Sequence, residues 1–142
     1  MAEEQLSFSE ILEKVEATGS RKDKIEMLKK YYTKQLHEAL AFGYDDRIKW
    51  LLPEGEPPYE PLESHDAKSG LMQEIRKQKL YYFVQGGKAP DLKQHRREMM
   101  FLDLLESIDP KDAKLLLALK NKQIPYRGVT KKLIEDAYGE MN

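Results

Sequence analysis

Apolar residues recur at helical spacing along nearly the whole chain. Ser7-Phe8-Ser9-Glu10 has the form of a capping box, and Ile11, Leu12 and Val15 follow as the inner stripe of a first helix. Ser20 and Asp23 form a second box-like start. From there Ile25, Leu28, Tyr31, Tyr32, Leu36, Ala39 and Leu40 trace one face of a single long helix that Gly43 ends. Asp45 and Asp46 open a short helix carrying Ile48, Trp50, Leu51 and Leu52. The pattern fails over 53–65, where Pro53, Pro57, Pro58 and Pro61 among several acids predict an extended or irregular surface loop. It returns from Asp66 or Ser69 to Val84 and breaks at Gly86-Gly87-Lys88. Pro90 then reads as the N1 proline of a helix through Phe101 to Leu105. Asp109-Pro110-Lys111-Asp112 is a strong start before the apolar run Leu115 to Leu119, and a last helix after Gly128 carries Leu133, Ile134, Ala137 and Tyr138. The expected fold is all-α: a compact bundle of about seven helices in a single domain over 1–142, its ordered core at about 7–138.

Charge adds a second pattern. The chain has 142 residues, 24 Lys+Arg against 25 Asp+Glu, and no cysteine, which excludes disulfides and cysteine-ligated metals. Near-neutrality conceals segregation: residues 1–16 carry a balance of -4 and 45–66 of -5, whereas 68–97 and 111–132 each carry +6. Clustered cations of this kind are more often solvated helix faces, and can also present a positive face to a polyanion. The acidic start and the absence of any long apolar run predict a cytoplasmic protein with no membrane partner.

Two helix starts stand out. In Thr18-Gly19-Ser20-Arg21-Lys22 and Arg127-Gly128-Val129-Thr130-Lys131-Lys132, a glycine and a hydroxyl N-cap are followed at once by a basic pair. First turns ordinarily favour acids, because the amide end of the helix dipole is positive. Cations there fit a site where an external anion, typically phosphate, meets free N–H groups. The alternative is a plain glycine turn with Asp23 balancing Arg21 and Lys22.

Catalytic chemistry finds little footing. His37, His65 and His95 lack metal-ligand spacing and read as solvated or helix-surface histidines, and there is no P-loop, nucleophile elbow or dinucleotide fingerprint. Gly86-Gly87-Lys88 suits an anion nest or a simple turn. Tyr31-Tyr32 and Tyr81-Tyr82 suit base stacking, or core packing by one ring of each pair with its neighbour at the rim. The expectation is a non-enzymatic protein without metal or cofactor.

Several of these segments together resemble a known family. Ile11 to Val15 with Thr18 to Lys24, then Phe42-Gly43-Tyr44, Ile48-Lys49-Trp50 and Pro53, then Arg96-Arg97-Glu98-Met99-Met100 with Leu102-Asp103-Leu104, and finally Arg127 to Lys132, look like the N-terminal helical DNA-binding domain of ATP-dependent DNA ligases of tailed bacteriophages. The adenylation signature K-x-D-G is absent, and the segment Asp109 to Tyr126 is longer than in the ligase pattern. The resemblance therefore implies the DNA-embracing module without ligation, as a stand-alone phage protein in the host cytoplasm. On that reading the partner is double-stranded DNA. Gly19, Ser20, Gly128 and Thr130 supply N–H or hydroxyl donors, Arg21, Lys22, Lys131 and Lys132 neutralise phosphates, and Lys88, Arg96 and Arg97 are outlying contacts. The competing expectation is a phage-encoded interaction module that binds and modulates a host protein, with the acidic loop 53–65 around Tyr59 as its contact segment.

Overall fold

A computed structural model describes residues 6–63 and 69–139. The chain is all-α, with seven α-helices among those residues: α1 Phe8–Ala17, α2 Arg21–Lys30, α3 Lys34–Tyr44, α4 Leu71–Arg76, α5 Gln94–Leu105, α6 Pro110–Lys120 and α7 Lys131–Tyr138. A 3-10 turn, Lys79–Tyr82, follows α4, and the only strand-like features described are isolated bridges, Trp50 to Val84 and Ser69 to Ile108.

The apolar run of α6 explains the architecture. Ala113, Leu115, Leu116, Leu117 and Leu119 are all buried, so this helix is apolar around most of its circumference and takes a central place. It packs against α1, α3, α4 and α5, while α2 lies mainly on α7. Asp109 caps α6 with Pro110 at its first position, as expected. Asp112, buried one turn inside, accepts the Leu71 N–H at 2.9 Å and ties α4 to α6. Burial pushes its carboxyl above the usual range, against the hydrogen bonds from Leu71 and Ser9.

Local start signals are realised closely. Ser7 makes both bonds of a capping box, and Ser20 and Thr130 accept the N3 amide of their helices. The expected long helix after Ser20 is instead two helices. Tyr31 ends α2, and Thr33 caps α3 by accepting the Leu36 N–H at 3.0 Å. Gly43 does not stop α3 but lies within it, because a Cβ there would stand 2.5 Å from Leu119 Cδ2; the glycine admits α6. Asp45-Asp46 opens no helix: Asp45 caps the end of α3 and binds Arg47, and the chain then runs to the Trp50 bridge. The expected helix to Val84 is cut short by Gln78, which takes a left-handed conformation at φ 61. Pro90 lies in a turn, and α5 starts only at Gln94.

The proline-rich loop is fastened to the body as far as it is described. Lys120 Nζ donates to the carbonyls of Pro53 (2.7 Å) and Gly55 (2.6 Å), the Gly55 N–H donates to Asn121 Oδ1, and the Glu60 N–H to Glu106 Oε2. Residues 64 and 65 of the expected loop, with His65, lie outside the described residues.

Candidate nucleic-acid interface

The two glycine-led helix starts are brought together. Ser20 Oγ accepts the Asp23 N–H at 3.1 Å and Thr130 Oγ1 the Leu133 N–H at 3.2 Å. The first amides of each helix, on Arg21 and Lys22 and on Lys131 and Lys132, therefore have no intrahelical acceptor. The link between the loops is Lys24. Its ammonium donates to the carbonyls of Thr18, Glu16 (3.2 Å) and Val15 (3.3 Å), capping the end of α1. Its side chain also lies against Gly128, where a Cβ would be 3.0 Å from Lys24 Cε. Gly128 has φ +79, a conformation that disfavours any side chain, so both φ and the approach of Lys24 demand glycine. The neighbouring Arg127 N–H donates to Glu16 Oε2 at 2.6 Å, a second tie between the end of α1 and the approach to α7. Gly19 has open space where a Cβ would point.

The four cations of these starts are not equivalent. Arg21 and Lys132 both pair with Asp136, the latter at 3.4 Å. The hydrogen bond from Arg21, with help from Lys132, holds the exposed Asp136 carboxyl below the usual range. Lys22 and Lys131 are exposed and stand outside every ion pair found among the described residues. Lys22 and Lys131 are therefore the two cations of these starts that an anion could meet without first displacing an acid.

The outlying candidates separate. Arg96 is exposed on α5. Arg97 is a correction: it is 3% exposed, and its guanidinium donates to the carbonyls of Tyr82, Leu92 (3.1 Å) and Ala89 (3.5 Å), clamping the turns before α5 instead of facing a phosphate. Lys88 is exposed beyond Gly87, its ammonium 5.5 Å from the centre of the Tyr82 ring, and it lines a groove that none of the helix-start residues line. Gly86-Gly87-Lys88 itself is a tight turn, because a Cβ on Gly87 would lie 2.0 Å from the Tyr81 carbonyl oxygen.

Sequence reasoning missed the cations that hold backbone. Lys122 Nζ donates to the carbonyls of Asp45 (2.7 Å), Phe42 (3.1 Å) and Ile48 (3.2 Å), much as Lys24 caps α1 and Lys120 holds the loop. A carbonyl acceptor carries no side-chain signature, so no signal in the sequence marks these lysines. His37 is also a correction: it is buried, its Nε2 3.2 Å from Tyr44 Oη and its ring against Tyr138 and Tyr32, and burial holds its pKa below 6.5. Tyr32 is half exposed but edge-packed on Tyr138, and Tyr81 donates to Glu38 with its own pKa pushed up to about 12 by burial and that bond.

Among the described residues no three metal-ligating side chains gather, and no helix is long and apolar enough to cross a membrane. No curated protein and no solved structure matches the chain. A family match begins within α1, takes in the first glycine-led start and ends just before the second. On that match, which spans residues 11–126, the chain belongs to DUF6433, a family of unknown function.

Proposed function

We propose that this protein is a non-enzymatic DNA-binding module that grips the phosphate backbone through the paired starts of α2 and α7. The observation that carries the reading is the meeting at Lys24 of the two loops that open α2 and α7, each helix beginning with amides that have no intrahelical acceptor. Each N-cap hydroxyl accepts from its own helix and keeps its hydrogen to donate. Lys22 and Lys131 are the primary cations, and Arg21 and Lys132 join by exchanging Asp136 for phosphate. Arg96 is the remaining outlying contact. The resemblance to the helical domain of phage DNA ligases supports the same partner, contacted with little base specificity.

Fluorescence anisotropy with a labelled duplex tests it. Affinity should fall with a logarithmic salt slope of about 0.9 per phosphate neutralised, and Lys22→Glu with Lys131→Glu should lower both affinity and slope. Absence of association at low salt refutes the reading.

One observation favours a second reading, a phage-encoded module that modulates a host protein. The fastened acidic loop covers an apolar cavity of ≈ 230 Å³ lined by Leu52, Pro57, Pro58 and Phe101, with Glu54, Glu56 and Glu98 around it. A host partner that survives nuclease treatment, and is lost on Glu54→Lys with Glu56→Lys, supports this reading.

A further inference from the structure

A second concave surface shares no lining residue with the α2–α7 starts. It is an open groove of ≈ 480 Å³ between the start of α3, the end of α4 and the turn at Gly87. Lys34, Arg76 and Lys88 reach it from those three separate elements, and all three are exposed. None of them enters an ion pair found among the described residues, in contrast with Arg21 and Lys132. The one acid on the lining is Glu38, whose carboxylate already accepts the Tyr81 hydroxyl. Three cations against that one carboxylate leave a formal balance of +2.

The groove is also prearranged. Thr33 takes the Leu36 N–H, which leaves the first amides of α3, on Lys34 and Gln35, without an intrahelical acceptor at the positive end of an 11-residue helix. Gln35 and Gln78 add carboxamide donors to the lining. Lys88 is held at its base, because its N–H donates to the Tyr81 carbonyl at 2.7 Å and Gly87 packs directly on that carbonyl. Like charges converging in a concavity repel one another, and a multivalent anion relieves that repulsion while the walls focus the field.

We infer that this groove binds a phosphomonoester. At neutral pH such a group carries a charge of about -1.5 to -2 and three acceptor oxygens, which complements three cations over one carboxylate better than a carboxylate or a phosphodiester does. The volume exceeds that of a phosphate alone and leaves room for the group attached to it. Two sources share this chemistry: a free nucleotide and a 5′-phosphorylated DNA end.

The test is a titration of the full chain with thymidine 5′-monophosphate, followed by amide NMR, with thymidine as control. Saturable shifts are expected at Lys34, Gln35, Gly87 and Lys88, with none from thymidine. Lys34→Glu and Arg76→Glu, each checked for native circular dichroism, should weaken binding by about tenfold or more, as expected for losing a charged hydrogen-bond partner. Displacement of the nucleotide by a 5′-phosphorylated duplex, but not by a 5′-hydroxyl one, assigns the DNA end as the source; failure of both to displace it assigns the free nucleotide. Either outcome supports the site. Absent shifts, equal shifts with thymidine, or indifference to both variants would overturn it. The variant Lys22→Glu with Lys131→Glu should leave this titration unchanged, so the groove and the duplex interface can fail independently.

Discussion

Arg96 and Arg97 are adjacent in sequence and opposite in environment, and replacing each by Met separates the two roles. Arg97 is buried with good bonds to the Tyr82 and Leu92 carbonyls, the 3.5 Å approach to Ala89 being marginal. Methionine keeps an unbranched apolar stem, so the change removes donors while opening little space. Two half-buried carbonyls left without partners cost up to about 1–3 kcal/mol each, less where water reaches them. Part of this is offset, because a buried cation no longer has to be desolvated and its Nε, buried without a partner, is removed. The net expectation for Arg97→Met is a loss of about 2–4 kcal/mol, against less than about 0.5 kcal/mol for the exposed Arg96→Met. Urea denaturation followed by far-UV circular dichroism measures both, with an unchanged m-value as the check that the two-state comparison holds. At a temperature where every variant is folded, Arg97→Met should bind duplex DNA like the parent. The reasoning fails if Arg97→Met lies within about 0.5 kcal/mol of the parent, or if Arg96→Met loses as much.

The two glycines of the helix starts should respond in opposite ways. Gly128→Ala, strained at φ +79 and pressed on Lys24, should cost about 1–2 kcal/mol, while Gly19→Ala, with open space, should be neutral or stabilising by up to about 1 kcal/mol in thermal melts. His37 titrates below 6.5 in the folded state, so the unfolded chain takes up its proton first as pH falls. Stability should therefore decline on acidification below about pH 6.5, and the decline should flatten in His37→Gln when denaturation midpoints are compared across pH; an unchanged slope sinks this assignment. Asp45, brought down to about 2 chiefly by its bond to Arg47, adds stability that is present above 3.8 and lost between 3.8 and 2. Asp45→Asn should cost about 1–2 kcal/mol at neutral pH, after screening through the exposed arginine, and abolish that acid limb of the denaturation profile.

Helix starts were legible in the sequence because their chemistry is local. Ser7, Ser20, Asp109-Pro110 and Thr130 each satisfy an amide within three residues, and each caps a helix where expected. Helix ends were less legible. Gly43 has the form of a stop yet continues α3, because what matters there is the approach of Leu119 from α6. The apolar face running past Tyr31 suggests one helix, but Thr33 caps a new one whose residues Leu36, Ala39 and Leu40 are buried in the shared core. Gln78 adopts a left-handed conformation that nothing in its local sequence announces.

By itself, then, the sequence determined the all-α class, the apolar helix of the Leu115 to Leu119 run, and the two glycine-led, hydroxyl-capped helix starts, since periodicity and capping act over a turn or so of chain. The tertiary structure decided which cations remain available. Arg97, Lys24, Lys120 and Lys122 hold carbonyls, Arg21 and Lys132 share Asp136, and Lys22 and Lys131 stay open to solvent. It also decided that Gly19 and Gly128, over a hundred residues apart, belong to neighbouring loops joined at Lys24. The acceptors in those arrangements are mostly main-chain carbonyls, which every residue carries, so only the folded chain distinguishes one basic residue from the next.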